Sequence, residues 1–336
     1  MNGRLENELK IETTIMNTLS NMPDFATEWY YNLKASNTEV SSCNDYINKL
    51  KRFLIFINKD IKNIKPEDIT LENTERYFIF IQKKKDKSGN LMYTSNSYQY
   101  GIWCTLHNFL NFMIKRKYIC ENYIESIERP KNNDLDKINE NRILLTKKDF
   151  NKIMNSVNKG VGSNKAKAHQ QKFKSRDLSI IMLFMTTGMR REALSEINIE
   201  DLNLERKELV VTDKGTKRHV YHLSDKVIEN INVWLEIREN INKNNNKALF
   251  ISGNGKRMTG SALYKLVEKY CDDALGYHVS PHKLRSGFCS ILYEEKGDIE
   301  FVRRAVGHST IATTQRYIVT KNNERTEASN FISNFL

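Results

Sequence analysis

The chain has 336 residues, 39% hydrophobic and 28% charged, which is enough for two domains that each bury a core. Its 53 Lys and Arg against 41 Asp and Glu give a net charge of +12, which favours polyanionic partners, nucleic acid or an anionic membrane surface. The five cysteines (Cys43, Cys104, Cys120, Cys271, Cys289) are scattered with no C-x-x-C pair, which argues against a disulfide framework or a cysteine zinc site and fits a reducing cytoplasm.

Met1 to Lys10 alternates charged and polar residues without an apolar centre, so it does not read as a secretory signal. From about Thr13 to Glu128 the pattern is helical and strand-like alternation is absent. Tyr46, Ile47, Leu50, Phe53, Leu54 and Ile57 recur at three and four residues, and so do Ile102, Trp103, Leu106, Phe109, Leu110 and Met113. Asp68 and Thr70 stand at capping positions before a helix over Leu71–Ile81. Lys83, Lys84, Lys85 and Lys87 lead into Ser88–Gly89 as a basic turn, and Lys115, Arg116 and Lys117 close the later helix. Either cluster suits phosphate contact, although a Lys run is more often a solvated face. Residues 1–130 are thus expected to form a helical domain, with a polar linker over 131–142.

Thr146 caps a helix near Lys147–Val157. Gly160 to Arg176, which includes Lys172 and Lys174, reads as a polar, basic, mobile loop. Leu178 to Met185 is a buried helix, far too short an apolar stretch to span a bilayer. The runs Glu208–Thr212 and Arg218–Leu223 flank Asp213–Lys214–Gly215–Thr216–Lys217 as a hairpin. After the polar loop Asn240–Lys247 the chain is mainly helical. The expected fold is therefore mainly α with a small β-sheet (α+β), soluble and cytoplasmic. Gly253-Asn254-Gly255-Lys256 lacks the Walker spacing and reads as a turn before a helix capped by Thr259.

The second half also carries a set of residues suited to phosphate chemistry. Arg190 follows the turn Thr187-Gly188-Met189, and Lys214 sits in the hairpin tip. His282 and Arg285 lie three apart on one face of a helix that starts after Pro281. Gly307-His308 opens a turn, and Tyr317 follows nine residues after His308. Each taken singly has an ordinary structural explanation: a chance pair, a turn, a core tyrosine. Their order and spacing together are much more specific.

Arg190, Lys214, His282-x-x-Arg285, Gly307-His308 and Tyr317 resemble the active-site signature of the tyrosine recombinase (phage integrase) family. Thr187-Gly188-Met189-Arg190 resembles its T-G-L-R segment, and Ser280-Pro281-His282-Lys283-Leu284-Arg285 its S-P-H-x-L-R box. Gly307-His308-Ser309 with Thr313-Thr314-Gln315-Arg316-Tyr317 resembles its G-H-S and T-T-x-x-Y segments. The motif match covers about Arg142 to Tyr317; the helical N-terminal half matches by architecture alone. Two positions depart from the pattern. Ala193 stands where an acidic residue usually follows the first arginine, with Glu192 beside it, and Ser286 stands where His often follows the second. Both positions support Arg190 and Arg285.

The resemblance implies a site-specific DNA recombinase with a core-binding domain over 1–130 and a catalytic domain over 143–325. Tyr317 would attack a phosphodiester to give a 3′-phosphotyrosyl intermediate and a free 5′-hydroxyl. Arginine's planar fork suits two phosphate oxygens, so Arg190 and Arg285 would stabilise the phosphorane-like transition state. A free phenol has a pKa near ~10; His282 is the candidate base that activates Tyr317, His308 would hydrogen-bond the phosphate, and Lys214 would protonate the departing oxygen. The covalent bond conserves the phosphodiester's energy, so no cofactor, ATP or metal is expected. Lys83, Lys84, Lys85, Lys115, Arg116, Lys117, Lys172 and Lys174 are candidate backbone contacts to double-stranded DNA. Ala328, Phe331, Ile332, Phe335 and Leu336 form an amphipathic pattern over 326–336, expected to dock on a neighbouring protomer in a homo-tetramer. About twelve residues precede the first helical pattern, which predicts two domains without an N-terminal arm-binding domain. The expected role is integration or excision of a mobile element, with an accessory DNA-bending or directionality factor as a further partner. The alternatives are a chromosome-dimer resolvase of the Xer type, a type IB topoisomerase-like enzyme, and a non-catalytic DNA-binding protein.

Overall fold

A computed structural model describes residues 3–85, 88–131, 145–212 and 218–315, and these fall into two compact units, 3–131 and 145–315. The expected linker over 131–142 lies, apart from Lys131, outside the described residues. So do Lys214, Tyr317 and the whole 326–336 segment.

The first unit contains helices α1 (Gly3–Leu19), α2 (Asp24–Ala35), α3 (Val40–Ile57), α4 (Leu71–Ile81) and α5 (Asn96–Lys115). α3 packs against each of the other four, because its Cys43, Ile47, Leu50, Phe53 and Leu54 share one buried face. Trp29 fills the centre, edge-on to Phe109, with its indole N–H donating to Asn108 at 3.0 Å. Thr70 caps α4 as expected, accepting from the amide of Asn73 at 3.2 Å.

Two expectations fail in this unit. The first helix begins at Gly3 rather than near Thr13. Its polar start is carried by ion pairs one turn apart, Arg4–Glu8 at 2.8 Å and Glu6–Lys10 at 2.6 Å, before the buried Ile15 and Leu19. Strand is also present: Lys83, Lys84 and Lys85 form β1 (Lys83–Lys85), paired antiparallel with β2 (Leu91–Tyr93). Three exposed residues per strand give no alternation to read; the pairing is fixed from beneath by Thr94, whose hydroxyl donates to the Ile81 carbonyl at 2.7 Å.

The second unit is built on α8 (Lys174–Thr187), in which every residue from Leu178 to Met185 is buried. Helices α6 (Lys147–Lys159), α10 (Asp225–Ile241), α11 (Gly260–Leu275) and α12 (Pro281–Lys296) pack around it, so its central stretch is buried on every side. Between them run α7 (Asn164–Gln171), α9 (Arg191–Glu196) and a three-stranded antiparallel sheet, β3 (Leu202–Asn203), β4 (Glu208–Thr212) and β5 (Arg218–His222). The chain then continues through α13 (Ile299–Val306) and α14 (Ile311–Gln315). The hairpin strands stand where the alternating runs put them. Thr146, Thr259 and Ser280 cap α6, α11 and α12 through their hydroxyls. The mainly α fold with a small sheet is thus observed.

Gly160 to Arg176 is not a loop. Ser163 caps α7 by accepting from the amide of Ala166, and the Gln170 side chain holds both the amide and the carbonyl of Val161, at 3.0 and 2.8 Å. Lys172 ends α7 and Lys174 opens α8. No described helix is long and apolar enough to cross a membrane.

Candidate active site

α8 ends at Gly188, whose φ of 59° lies in the left-handed region; a side chain there would meet the Phe288 ring at 2.6 Å. The turn puts Arg190 at the N-cap of α9. Ser280 and Pro281 start α12 and set His282 and Arg285 one turn apart. Arg190, His282 and Arg285 thereby line one cleft of about 270 Å³, together with Arg191 and Tyr264. His282 is exposed at its mouth, Arg190 is half-buried, and Arg285 is 2% exposed.

Arg285 is held by main chain. One terminal nitrogen donates to the carbonyl of Gly188, and Nη2 donates to that of Val306 at 2.9 Å. Its Nε is buried and donates to no acceptor among the described residues. Among the described residues no carboxylate pairs with this buried guanidinium, which stands as a positive centre between neutral carbonyls. Glu192, beside the expected acidic position, gives its carboxylate to Arg191. Arg191 in turn lies 5.9 Å from the Tyr264 ring centre.

His308 is 2% exposed and follows α13 at Gly307. Its amide donates to the Arg303 carbonyl at 3.0 Å, and Arg303, anchored on Glu300, returns a bond from Nη1 to the His308 carbonyl at 2.6 Å. Nδ1 of His308 lies 3.0 Å from the Thr314 hydroxyl. Burial, then the charges of Arg285, Arg190, His282 and Arg303, push its pKa down to about 3, so the ring is neutral at pH 7. A neutral ring carries one hydrogen, so where the Thr314 hydroxyl donates to Nδ1, Nε2 is left as the ring's donor. Burial also raises the pKa of Tyr221 on β5, against the opposing charges of Arg285 and Arg190.

Four of the six residues selected from the sequence (Arg190, His282, Arg285 and His308) therefore gather in one place, while Lys214 and Tyr317 lie outside the described residues. Tyr264, Arg191, Arg303 and Tyr221 were not legible as site residues, since each reaches the site from a separate element and carries no local pattern. All of Lys83, Lys84, Lys85, Lys115, Arg116, Lys117 and Lys172 are exposed, and Lys174 is partly so. Arg116 also lies over the Phe112 ring and 3.9 Å from Glu28, so part of its charge is met within its own unit. Among the described residues Glu268, Asp272 and His278 are a group with metal-ligand atoms within 4.8 Å of one another. His278 Nδ1 is bracketed by the two carboxylates at 3.4 and 3.6 Å, and Nε2 lies 2.8 Å from the Tyr264 hydroxyl.

Residues 144–324 match the phage integrase family, and the chain belongs to that family. A tyrosine recombinase XerC of Psychromonas ingrahamii is 35% identical over 143 residues, covering 42% of this chain and 48% of the relative. A second XerC, of Caldanaerobacter subterraneus subsp. tengcongensis, is 30% identical over 230 residues, 67% of this chain and 60% of the relative. The chain thus spans about half to three-fifths of the length of these relatives. The crystal structure of XerH site-specific recombinase bound to a palindromic difH substrate shares the fold, with a TM-score of 0.63 at 23% identity over 89% of this chain and 82% of that one.

Proposed function

We propose that the chain is a site-specific DNA recombinase that cuts and rejoins strands through a 3′-phosphotyrosyl intermediate on Tyr317. The observation that carries this reading is the buried, uncompensated guanidinium of Arg285 beside Arg190, His282 and a neutral His308. Such a cluster lowers the energy of a dianionic, five-coordinate phosphorus more than that of the singly charged ground state. In this reading Arg190 and Arg285 bind the non-bridging oxygens and His308 donates from Nε2. His282, exposed at the cleft mouth, accepts the Tyr317 proton, and Lys214 protonates the leaving 5′ oxygen. The bond to Tyr317 stores the energy for rejoining, so the cycle draws on no external cofactor.

Double-stranded DNA is the substrate, gripped by the basic residues of both units, with 1–130 as the core-binding domain and 143–325 as the catalytic domain. Assembly is a homo-tetramer on DNA, linked through the apolar face of 326–336, and an accessory DNA-bending or directionality factor acts with it. For the biological role, integration or excision of a mobile element is one reading. The XerC relatives are consistent with a second reading, a chromosome-dimer resolvase of the Xer type.

The test is covalent capture. Protein incubated without metal on DNA flanking its own gene, and on nicked suicide substrates derived from it, is quenched in detergent and scored for protease-sensitive adducts. An adduct abolished by Tyr317→Phe supports the reading. Relaxation of a plasmid lacking any target site would favour a topoisomerase-like activity instead, and DNA binding with no adduct would favour a non-catalytic protein.

A further inference from the structure

The face of β5 that turns inward carries His219 and Tyr221, while Arg218, Val220 and His222 are exposed. The two inward rings lie 6.5 Å apart, and the strand is fixed by its register with β4, His219 opposite Val211 and Tyr221 opposite Leu209. Tyr221 lies near enough to Arg285 and Arg190 to feel their charges. His219 meets something more specific. A methyl group built on Gly307 would fall 2.5 Å from its Cε1, 2.7 Å from Nε2 and 3.0 Å from Nδ1. The N–C–N edge of the imidazole therefore rests against the Cα of Gly307, closer than any side chain on that residue would permit.

That glycine is the pivot of the site's second half. With φ at 69° it closes α13 in a Schellman-type end, its own amide donating to Arg304 and that of His308 to Arg303. The residue before it, Val306, supplies the carbonyl that holds Arg285, and the residue after it is His308. A shift of the turn moves an acceptor of the buried guanidinium and the imidazole together.

We propose that His219 is a positioning residue: the edge of its ring is the seat of the Gly307–His308 turn, and through that turn it sets where His308 and Arg285 stand. The effect on chemistry rests on the recombinase reading above; the seat itself does not. Misplacement of reacting groups by about 1 Å costs about 10²-fold in rate, so His219→Ala is expected to slow adduct formation on a suicide substrate by that order while DNA affinity changes by less than about threefold. His219→Phe, which keeps a flat ring on the glycine, is expected to recover most of the rate. Gly307→Ala is expected to be at least as slow as His219→Ala. The pair Gly307→Ala with His219→Ala is expected to be faster than Gly307→Ala alone, because the colliding ring is gone.

Hydrogen exchange of the amides at 307–308 supplies a readout that needs no activity: it should rise in His219→Ala and return in His219→Phe. Unchanged exchange in His219→Ala overturns the seat, and so does a double variant no better than Gly307→Ala. Phe and Ala variants equally slow would replace it with a polar role for the ring. A wild-type protein that forms no adduct, with exchange behaving as described, would instead reject the recombinase reading and leave the seat standing.

Discussion

Arg285 gives the sharpest expectations at the scale of single residues. Each of its two terminal nitrogens gives one of its two N–H groups to a carbonyl, of Gly188 and of Val306, so charge alone does not reproduce it. Arg285→Lys keeps the charge and loses the fork, and single-turnover adduct formation is expected to fall about 10²-fold or more with DNA binding nearly unchanged. A lysine variant as fast as the wild type would reject the role of the fork. His308 supplies a pH dependence with a definite sign. Its folded pKa of about 3 lies below the ordinary value of 6.5, so between those limits the unfolded chain takes up a proton that the folded one refuses. The stability it contributes is complete above about pH 6.5 and is lost as pH falls toward 3, on the order of 1 kcal/mol per unit. His308→Gln should therefore flatten the acid side of a stability–pH curve measured by urea unfolding; an unchanged curve would show that the ring titrates as in water.

Helix ends were the most legible elements, because a cap is a local device. Thr146 reads as a cap in the sequence and is one, closing a reciprocal box in which its hydroxyl accepts from the Asp149 amide and Asp149 accepts from its own. Thr146→Ala should cost about 1 kcal/mol, read as a shift of the urea midpoint. What was illegible depended on distant partners. The segment 160–176 is rich in Gly, Lys and polar residues, and its helices rest on the Ser163 cap, the Gln170–Val161 bonds and the packing of α8. Asp177 also passed unnoticed in a helical run. It is 1% exposed and satisfied by Arg176 at 2.8 Å and by the Tyr270 hydroxyl at 2.7 Å, with Lys269 at 3.7 Å. Burial lowers the pKa of Lys269, and Asp177 opposes that shift. Asp177→Ala strands these cations and is expected to destabilise the second unit by about 3–5 kcal/mol in the same unfolding measurement. A cost under about 1 kcal/mol would mean that water or another carboxylate replaces it.

Across the whole molecule the +12 charge acts as a field rather than as a set of contacts. If Lys83, Lys84 and Lys85 each meet a phosphate, changing all three to Gln should reduce the slope of log affinity against log salt by about 3, with little dependence on DNA sequence. An unchanged slope would remove β1 from the interface. The grouping of Arg190, His282, Arg285 and His308 was legible despite its spread over more than a hundred residues, because each sits in a short motif that also fixes a turn or a helix start. With Ser286 beside it, Arg285 takes its orientation from carbonyl oxygens. Every residue brings a main-chain carbonyl, whatever side chain is encoded. An anchor of this kind cannot be deleted by a point mutation at the position that supplies it; it can only be moved by bending the chain. The two glycines that set the chain's path, Gly188 and Gly307, are therefore where one added side chain would bend the chain and move these acceptors.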